Sequence, residues 1–289
     1  MIWNFGDVSA ELGRSDRARF GVIPVPFERT TSYGKGTADG PRAIVAASRY
    51  MELFDEQYGF QPADAGIWTC PPLEFNEETI EGNIHLISSR TAELMSPDKF
   101  LIFVGGEHSI TFPIVRAYRE RYPALGVLQV DAHADLRWEY EGSIYSHASV
   151  MRRVVDICPA VQVGIRSLSK EEHDELPRLP TTMIFAHEYF RDPAAAVQKM
   201  LANLPADVYI TFDLDGLDPS ILSATGTPEP GGLSWYDALA VLEPVFASRR
   251  VVGADVVELA PVEGSPASDF IAARLVYKMM SMQERFRQS

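Results

Sequence analysis

With 289 residues, 46% of them hydrophobic, the chain can bury one large core, and no change in composition marks a linker between domains. A formal net charge of −14 argues against nucleic acid and anionic membrane surfaces as partners and suits a cationic small molecule. No apolar run approaches the roughly 18 residues of a membrane span, and Met1-Ile2-Trp3-Asn4-Phe5 lacks the basic and apolar regions of a signal peptide, so a cytoplasmic location is expected.

Short β-rich apolar runs alternate with longer segments of helical period, the pattern of a parallel sheet with crossover helices. Strands are expected over 20–25, 65–69, 100–104, 126–130, 161–165, 182–185, 208–212 and 251–257. Helices are expected over 41–54, with a proline in the first turn, and over 77–95, 111–122, 148–157, 170–175, 192–204, 235–246 and 268–284. Cys70 and Cys158, far apart and each just before a proline, read as buried small apolar residues rather than a disulfide or ligands. Counting elements does not decide between an open three-layer α/β/α sheet and a closed barrel of eight β/α units. Both place their sites beyond the carboxyl ends of the strands.

The charged residues of interest sit at those ends. Asp131-Ala132-His133-Ala134-Asp135 follows directly on Val127-Leu128-Gln129-Val130, and its three metal-binding side chains alternate so that an extended chain points them to one side. Thr211-Phe212-Asp213-Leu214-Asp215-Gly216-Leu217-Asp218-Pro219 repeats the design after Val208-Tyr209-Ile210, and Gly105-Gly106-Glu107-His108 adds an imidazole after Phe100-Leu101-Ile102. Alone, one such pentapeptide reads equally well as a polar loop. Together, Asp131, Asp135, Asp213, Asp215, His108 and His133 bring more charge to one sheet edge than can gather without cations, and they fit two divalent ions sharing bridging carboxylates. Oxygen and imidazole donors without thiolates suit Mn²⁺, with nickel, cobalt and zinc left open.

In order and spacing, Gly105-Gly106-Glu107-His108-Ser109, Asp131-Ala132-His133-Ala134-Asp135 and the segment 211–219 resemble the three signature motifs of the ureohydrolases, the arginase and agmatinase family, with similarity over about 22–280. The resemblance implies a single domain with an open, eight-stranded, mostly parallel sheet in a three-layer α/β/α fold. It implies two manganese ions, one held by His108, Asp131, Asp135 and Asp213, the other by His133, Asp131, Asp213 and Asp215, with Asp131 and Asp213 bridging. Many members carry Asp where Glu107 stands; beside a ligand rather than on the metal, Glu is expected to be tolerated. Trimers or hexamers are common in the family.

Guanidinium is planar, resonance-stabilised and cationic, so neutral water attacks its carbon very slowly. A water bridging two cations loses a proton near neutral pH and is a hydroxide already in place. Asp135 is the expected first acceptor of that proton, and the amine that leaves with urea needs a proton donor. His147, in Tyr145-Ser146-His147-Ala148, resembles the family histidine that shuttles protons at the pocket mouth, the alternative being a helix-start histidine with no catalytic task. Glu258, in Asp255-Val256-Val257-Glu258-Leu259-Ala260-Pro261, matches the glutamate that pairs with the substrate guanidinium, where two parallel N–H bonds would orient the carbon. Thr227, in Ala224-Thr225-Gly226-Thr227-Pro228, matches a threonine that bonds the reacting amino group, with a plain turn as the alternative. His173 and His187 read as structural.

Leu136-Arg137-Trp138-Glu139-Tyr140, after the second motif, resembles agmatinases rather than arginases, which use that stretch to hold an amino-acid head group. The expected substrate is therefore agmatine, hydrolysed to putrescine and urea in polyamine biosynthesis, with aminopropylagmatine, guanidinobutyrate, guanidine and arginine as alternatives. Glu171-Glu172 could receive a distal ammonium, but a helix first turn, where the dipole favours carboxylates, is the preferred reading. A metallophosphoesterase would need a Gly-Asn-His segment that the chain lacks, and a non-catalytic metal-binding protein would have no use for Glu258 and His147.

Overall fold

Strands that are buried from end to end must lie in a sheet covered on both faces. Phe20–Val25 (β1), Phe100–Gly105 (β3), Leu125–Val130 (β4) and Ala160–Ile165 (β5) are of this kind. A computed structural model describes residues 3–287. It joins these four to Ile67–Thr69 (β2), Thr181–Phe185 (β6), Asp207–Asp213 (β7) and Arg250–Val257 (β8) in one sheet of order β2-β1-β3-β8-β7-β4-β5-β6. Every neighbouring pair is parallel. Because the sheet is open, it is the three-layer arrangement and not the barrel.

Side chains alternate along each strand, so one sheet feeds two cores. Ile102, Val104, Leu128, Val130, Ile210 and Phe212 pack to one side with helices Gly40–Ser48 (α1), Pro193–Asn203 (α7), Trp235–Ser248 (α8) and Ala267–Arg285 (α9). Leu101, Phe103, Val127 and Tyr209 pack to the other with Ile80–Leu94 (α2), Thr111–Arg121 (α3) and Val150–Val155 (α4). Lys170–Glu175 (α5) and Ala186–Arg191 (α6) are short helices near the β5–β6 edge.

All eight expected strands have a counterpart, but two helical readings differ. The first helix stops at Ser48 instead of running to 54, since Ser48 Oγ bonds back to Val45 O at 2.7 Å and accepts the Gly6 N–H at 2.8 Å. The residues beyond fold around Asp55, whose carboxylate accepts from the Gln57 and Tyr58 backbone and from the Lys278 ammonium at 2.9 Å. Helix α6 has no counterpart in the sequence reading; it is six residues long and runs straight into the Asp192 cap of α7, whose side chain accepts the Ala195 N–H at 3.0 Å. Cys70 and Cys158 are buried free thiols.

The sheet order reverses direction in the middle. The chain begins at β1, steps out to β2 and returns to β3 on one side, then runs outward from β4 to β5 and β6 on the other, with β8 and β7 filling the gap. The crevice at such a reversal, beyond the carboxyl ends, is where open α/β sheets place their sites. The register levels those ends: Val130 pairs with Phe212, Phe212 with Val256, and Val104 with Val256.

Candidate metal centre and active site

The first residues past those level ends are the acidic and imidazole side chains. His108 Nδ1 lies 3.1 Å from Asp131 Oδ2, 3.1 Å from Asp135 Oδ2 and 3.3 Å from Asp213 Oδ2. His133 Nδ1 lies 3.0 Å from Asp215 Oδ2 and 3.6 Å from Asp131 Oδ1. Asp131 therefore faces His108 with one oxygen and His133 with the other. Two groups, His108 with Asp131 and Asp213, and His133 with Asp131 and Asp215, each present ligand atoms within 4.8 Å of one another.

Local backbone geometry holds these groups in place. Gly106 lets β3 press against the loop after β1: a Cβ there would lie 2.0 Å from Phe27 O, which instead accepts the Glu107 N–H at 2.9 Å. Asp135 and Glu258 adopt left-handed φ values of 53° and 67°, uncommon for residues with a side chain and costing about 1–3 kcal/mol each. Asp135 O accepts the Arg152 N–H at 3.1 Å, and the Glu258 N–H donates to Gly106 O at 2.9 Å. Both kinks turn a carboxylate into the cleft. Glu258 Oε1 accepts the His108 N–H at 2.6 Å.

A row of buried polar side chains lies directly beneath the candidate ligands. Gln162 of β5, Gln129 of β4, Thr211 of β7 and Asp255 of β8 pair in register across the sheet, and each is 0% exposed. Gln162 Nε2 donates to Gln129 Oε1 at 2.5 Å, and Gln129 Nε2 donates to Asp131 Oδ2 at 2.6 Å. Thr211 Oγ1 donates to Asp255 Oδ1 at 2.6 Å, so its contact with His108 Nε2 at 2.9 Å must be a bond it accepts. That places a proton of His108 on Nε2 and turns Nδ1 toward three carboxylates, where a metal ion would take the place of its proton. Sequence reasoning passed over this row. Its signal was present as single polar residues inside apolar runs, since a polar group buried in a strand needs a partner.

The electrostatics are those of a site assembled for cations. Burial alone would push His108 down, but Asp131, Asp135 and Asp213 outweigh it and hold the imidazole well above its usual range. Burial acts likewise on His133, and Asp131 and Asp215 lift it to about 12. Burial followed by the charges of Asp215 and Asp131 raises Asp213 well above the carboxylate range, and burial with the Asp131 charge raises Asp135 and Asp215. Burial also raises Asp131, yet His108 and His133 bring it below its ordinary value. Divalent ions would relieve this crowding of carboxylates. His108 Nδ1 is buried with no hydrogen-bond partner, as a ligand nitrogen should be. The donor set of carboxylate oxygens and imidazoles thus fits a binuclear centre of hard or borderline divalent metals.

The remaining candidates line the same cleft. His147 and Thr227 stand on its walls, Thr227 on an exposed turn, and Glu258 is 8% exposed at its floor. Glu172 also reaches the wall, but its two oxygens accept the Leu136 N–H at 2.8 Å and the Ser169 N–H at 2.7 Å as part of the α5 capping box. His173 is exposed on α5, and His187 stacks on Phe185. Behind the ligands, the Arg166 guanidinium donates to Asp215 O at 2.7 Å and Glu229 O at 2.8 Å, tying the third motif to the loop that carries Thr227.

A model of the arginase family matches residues 18–282. The chain belongs to the arginase family. Among relatives, an N(1)-aminopropylagmatine ureohydrolase of Synechocystis is 39% identical over 90% of this chain and 87% of that protein. An agmatinase of Pyrococcus horikoshii is 31% identical, covering 99% of this chain and 100% of its own. The crystal structure of the agmatine ureohydrolase of Thermoplasma volcanium superposes with a TM-score of 0.86 at 31% identity, over 94% of this chain and 92% of that one. The arginase-family chain is thus a ureohydrolase acting on guanidino compounds, with a metal-binding site compatible with a binuclear hydrolase. No described helix is long and apolar enough to cross a membrane.

Proposed function

We propose that this enzyme hydrolyses a linear guanidinoalkylamine with no amino-acid head group, N(1)-aminopropylagmatine or agmatine, to urea and spermidine or putrescine, using two manganese ions. Water adds to the guanidinium carbon, the bond to the alkyl nitrogen breaks, and that nitrogen leaves protonated. The observation that carries the reading is Glu258: buried, held at a left-handed φ, one oxygen tied to the His108 N–H, and adjoining the ligand cluster. A carboxylate so held at the cleft floor can take N–H donors of a planar cation and orient its carbon. Burial pushes Glu258 well above the carboxylate range, with the Glu107 charge adding to the shift, so an incoming guanidinium is the counter-ion it lacks.

His108 and Asp135 with Asp131 and Asp213 would hold one ion, and His133 and Asp215 with the same two aspartates the other. When bound, the metals supply a water acidic enough to act as nucleophile at neutral pH. Asp135 Oδ2, in the His108 cluster, takes a proton, and His147 on the wall gives one to the leaving nitrogen. Thr227 offers a hydroxyl to the reacting amino group. The net charge of −14 draws cationic substrate toward the enzyme.

Among the alternative substrates, the aminopropyl derivative is favoured by its appearance in the names of the relatives at 39% and 38% identity. Urea release from manganese-loaded protein is to be measured with aminopropylagmatine, agmatine, guanidinobutyrate and arginine. We expect kcat/KM to be highest for aminopropylagmatine, with agmatine second and arginine lowest. Preference for arginine, or no urea from any of the four, would sink the proposal.

A further inference from the structure

His147 is not alone on the cleft wall. Its Nδ1 lies 3.2 Å from Thr30 Oγ1, which also accepts the His147 backbone N–H at 3.0 Å. Thr30 Oγ1 in turn lies 2.8 Å from Glu107 Oε1. Glu107 is 0% exposed, and its other oxygen accepts the backbone N–H groups of Arg29 and Thr30, both at 2.6 Å. Ser109 Oγ donates to Oε1 as well. The carboxylate is therefore anchored from two chain segments and points one oxygen at the threonine hydroxyl.

Proton counting orders the series. An ionised carboxylate only accepts, and Thr30 has one proton, so the hydroxyl gives that proton to Glu107. Its oxygen is left to accept from His147 on both sides, the backbone N–H and the ring. The ring proton then sits on Nδ1, and Ser146 Oγ, 3.3 Å from Nδ1, is in reach as a second, more distant acceptor. Nε2 keeps its lone pair for the cleft.

We propose that Glu107 and Thr30 are positioning residues that fix the His147 ring in the Nδ1–H tautomer, with Nε2 turned to the cleft. This rests on the reading of His147 as the proton carrier. In the protonated ring, Nε2–H passes its proton to the leaving nitrogen as the carbon–nitrogen bond breaks; the electron pair of that bond stays on nitrogen, and the proton on Nδ1 does not move. A longer side chain than Asp at this position lets one carboxylate reach the loop after β1 and the threonine hydroxyl together, which gives Glu107 a task beyond standing beside a ligand.

The test compares Thr30→Val and Thr30→Ser, each alone and combined with His147→Asn, by urea release from manganese-loaded enzyme, with metal content measured on every variant. We expect Thr30→Val to lower kcat by about 10- to 100-fold at unchanged KM and metal content, within the range for general acid–base catalysis. Thr30→Ser should restore most of it, and Thr30→Val should cost nothing further in the His147→Asn background. Nitrogen NMR of histidine-labelled, zinc-loaded protein should show His147 protonated at Nδ1, with Thr30→Val mixing the tautomers. Should Thr30→Val fail to fold, Thr30→Ala carries the same comparison. If His147→Asn turns over at the wild-type rate, the reading of His147 as proton carrier falls and the relay with it. If His147→Asn is impaired but Thr30→Val is not, or costs as much in both backgrounds, or the wild-type ring is protonated at Nε2, the relay alone is overturned.

Discussion

At Glu258 one backbone angle decides where a carboxylate points. At φ 67° the chain turns sharply after β8, and the carboxylate swings over the His108 N–H instead of continuing the outward alternation of the strand. Replacing it with Gln keeps an oxygen for that N–H and so preserves the fold around His108, but removes the charge that faces a guanidinium. Glu258→Gln is expected to keep full metal content and to lose about 100-fold or more in kcat/KM, the scale of a lost charge-assisted contact to the reacting group. Metal analysis with urea kinetics decides it, and wild-type kinetics would show that Glu258 does not touch substrate. Such candidates stood out in the sequence because each lies just past an apolar run. What they lean on did not: Thr30 is an ordinary loop threonine in sequence, and only the fold brings it to His147, more than a hundred positions away. No periodicity or spacing encodes that contact.

At the scale of elements, the strands were readable and their cross-links were not. Periodicity and turn signals located all eight strands, whereas α6 escaped because it begins at the residue after β6, with no turn residue between them to mark its start. The strand order, which puts β8 and β7 between β3 and β4, lies in no local segment. That order is what aligns Gln162, Gln129, Thr211 and Asp255 into one row, so the row becomes visible only with the sheet assembled. Thr211→Val keeps the shape of the side chain and strands His108 Nε2 and Asp255 Oδ1 without their partner. Metal affinity should fall by about 10- to 100-fold, as when other partners behind a ligand are removed, while Thr211→Ser should retain it; equal affinity in all three proteins would show that the row does not orient the ligand. Helix α9 depends on a different polar link. Lys278 and Asp55, 9% and 3% exposed at the side chain, meet at 2.9 Å and tie α9 to the segment after α1. Lys278→Met should destabilise the protein by about 3 kcal/mol by leaving Asp55 buried and unpaired, with Asp55→Asn in the same background restoring part of it. Chemical denaturation of the single and double variants measures both.

For the whole molecule, the central fact is that one edge of a single sheet concentrates ionisable groups that disturb one another. His108, His133, Asp135, Asp213, Asp215 and Glu258 all hold protons more tightly in the folded, metal-free chain than in the unfolded one. A group of this kind contributes stability that is complete below its unfolded pKa and is lost as pH rises through the folded value. For His133 the loss runs from 6.5 to about 12, and for the four carboxylates it begins near their ordinary range, so all push in one direction. Asp131, lowered instead, contributes stability that disappears only in acid and leaves the neutral and alkaline window to the others. Metal binding must displace the imidazole protons, so it strengthens with pH while the metal-free fold weakens. Chelator-treated protein should therefore lose Tm steadily between about pH 6.5 and about pH 9, manganese-loaded protein should lose less, and the gap between them should widen toward alkali. Calorimetric melts of both forms across that range supply the comparison. A metal-free Tm that holds or climbs with pH would mean that the cluster does not govern stability, and that the protons inferred at His108 and His133 are not there.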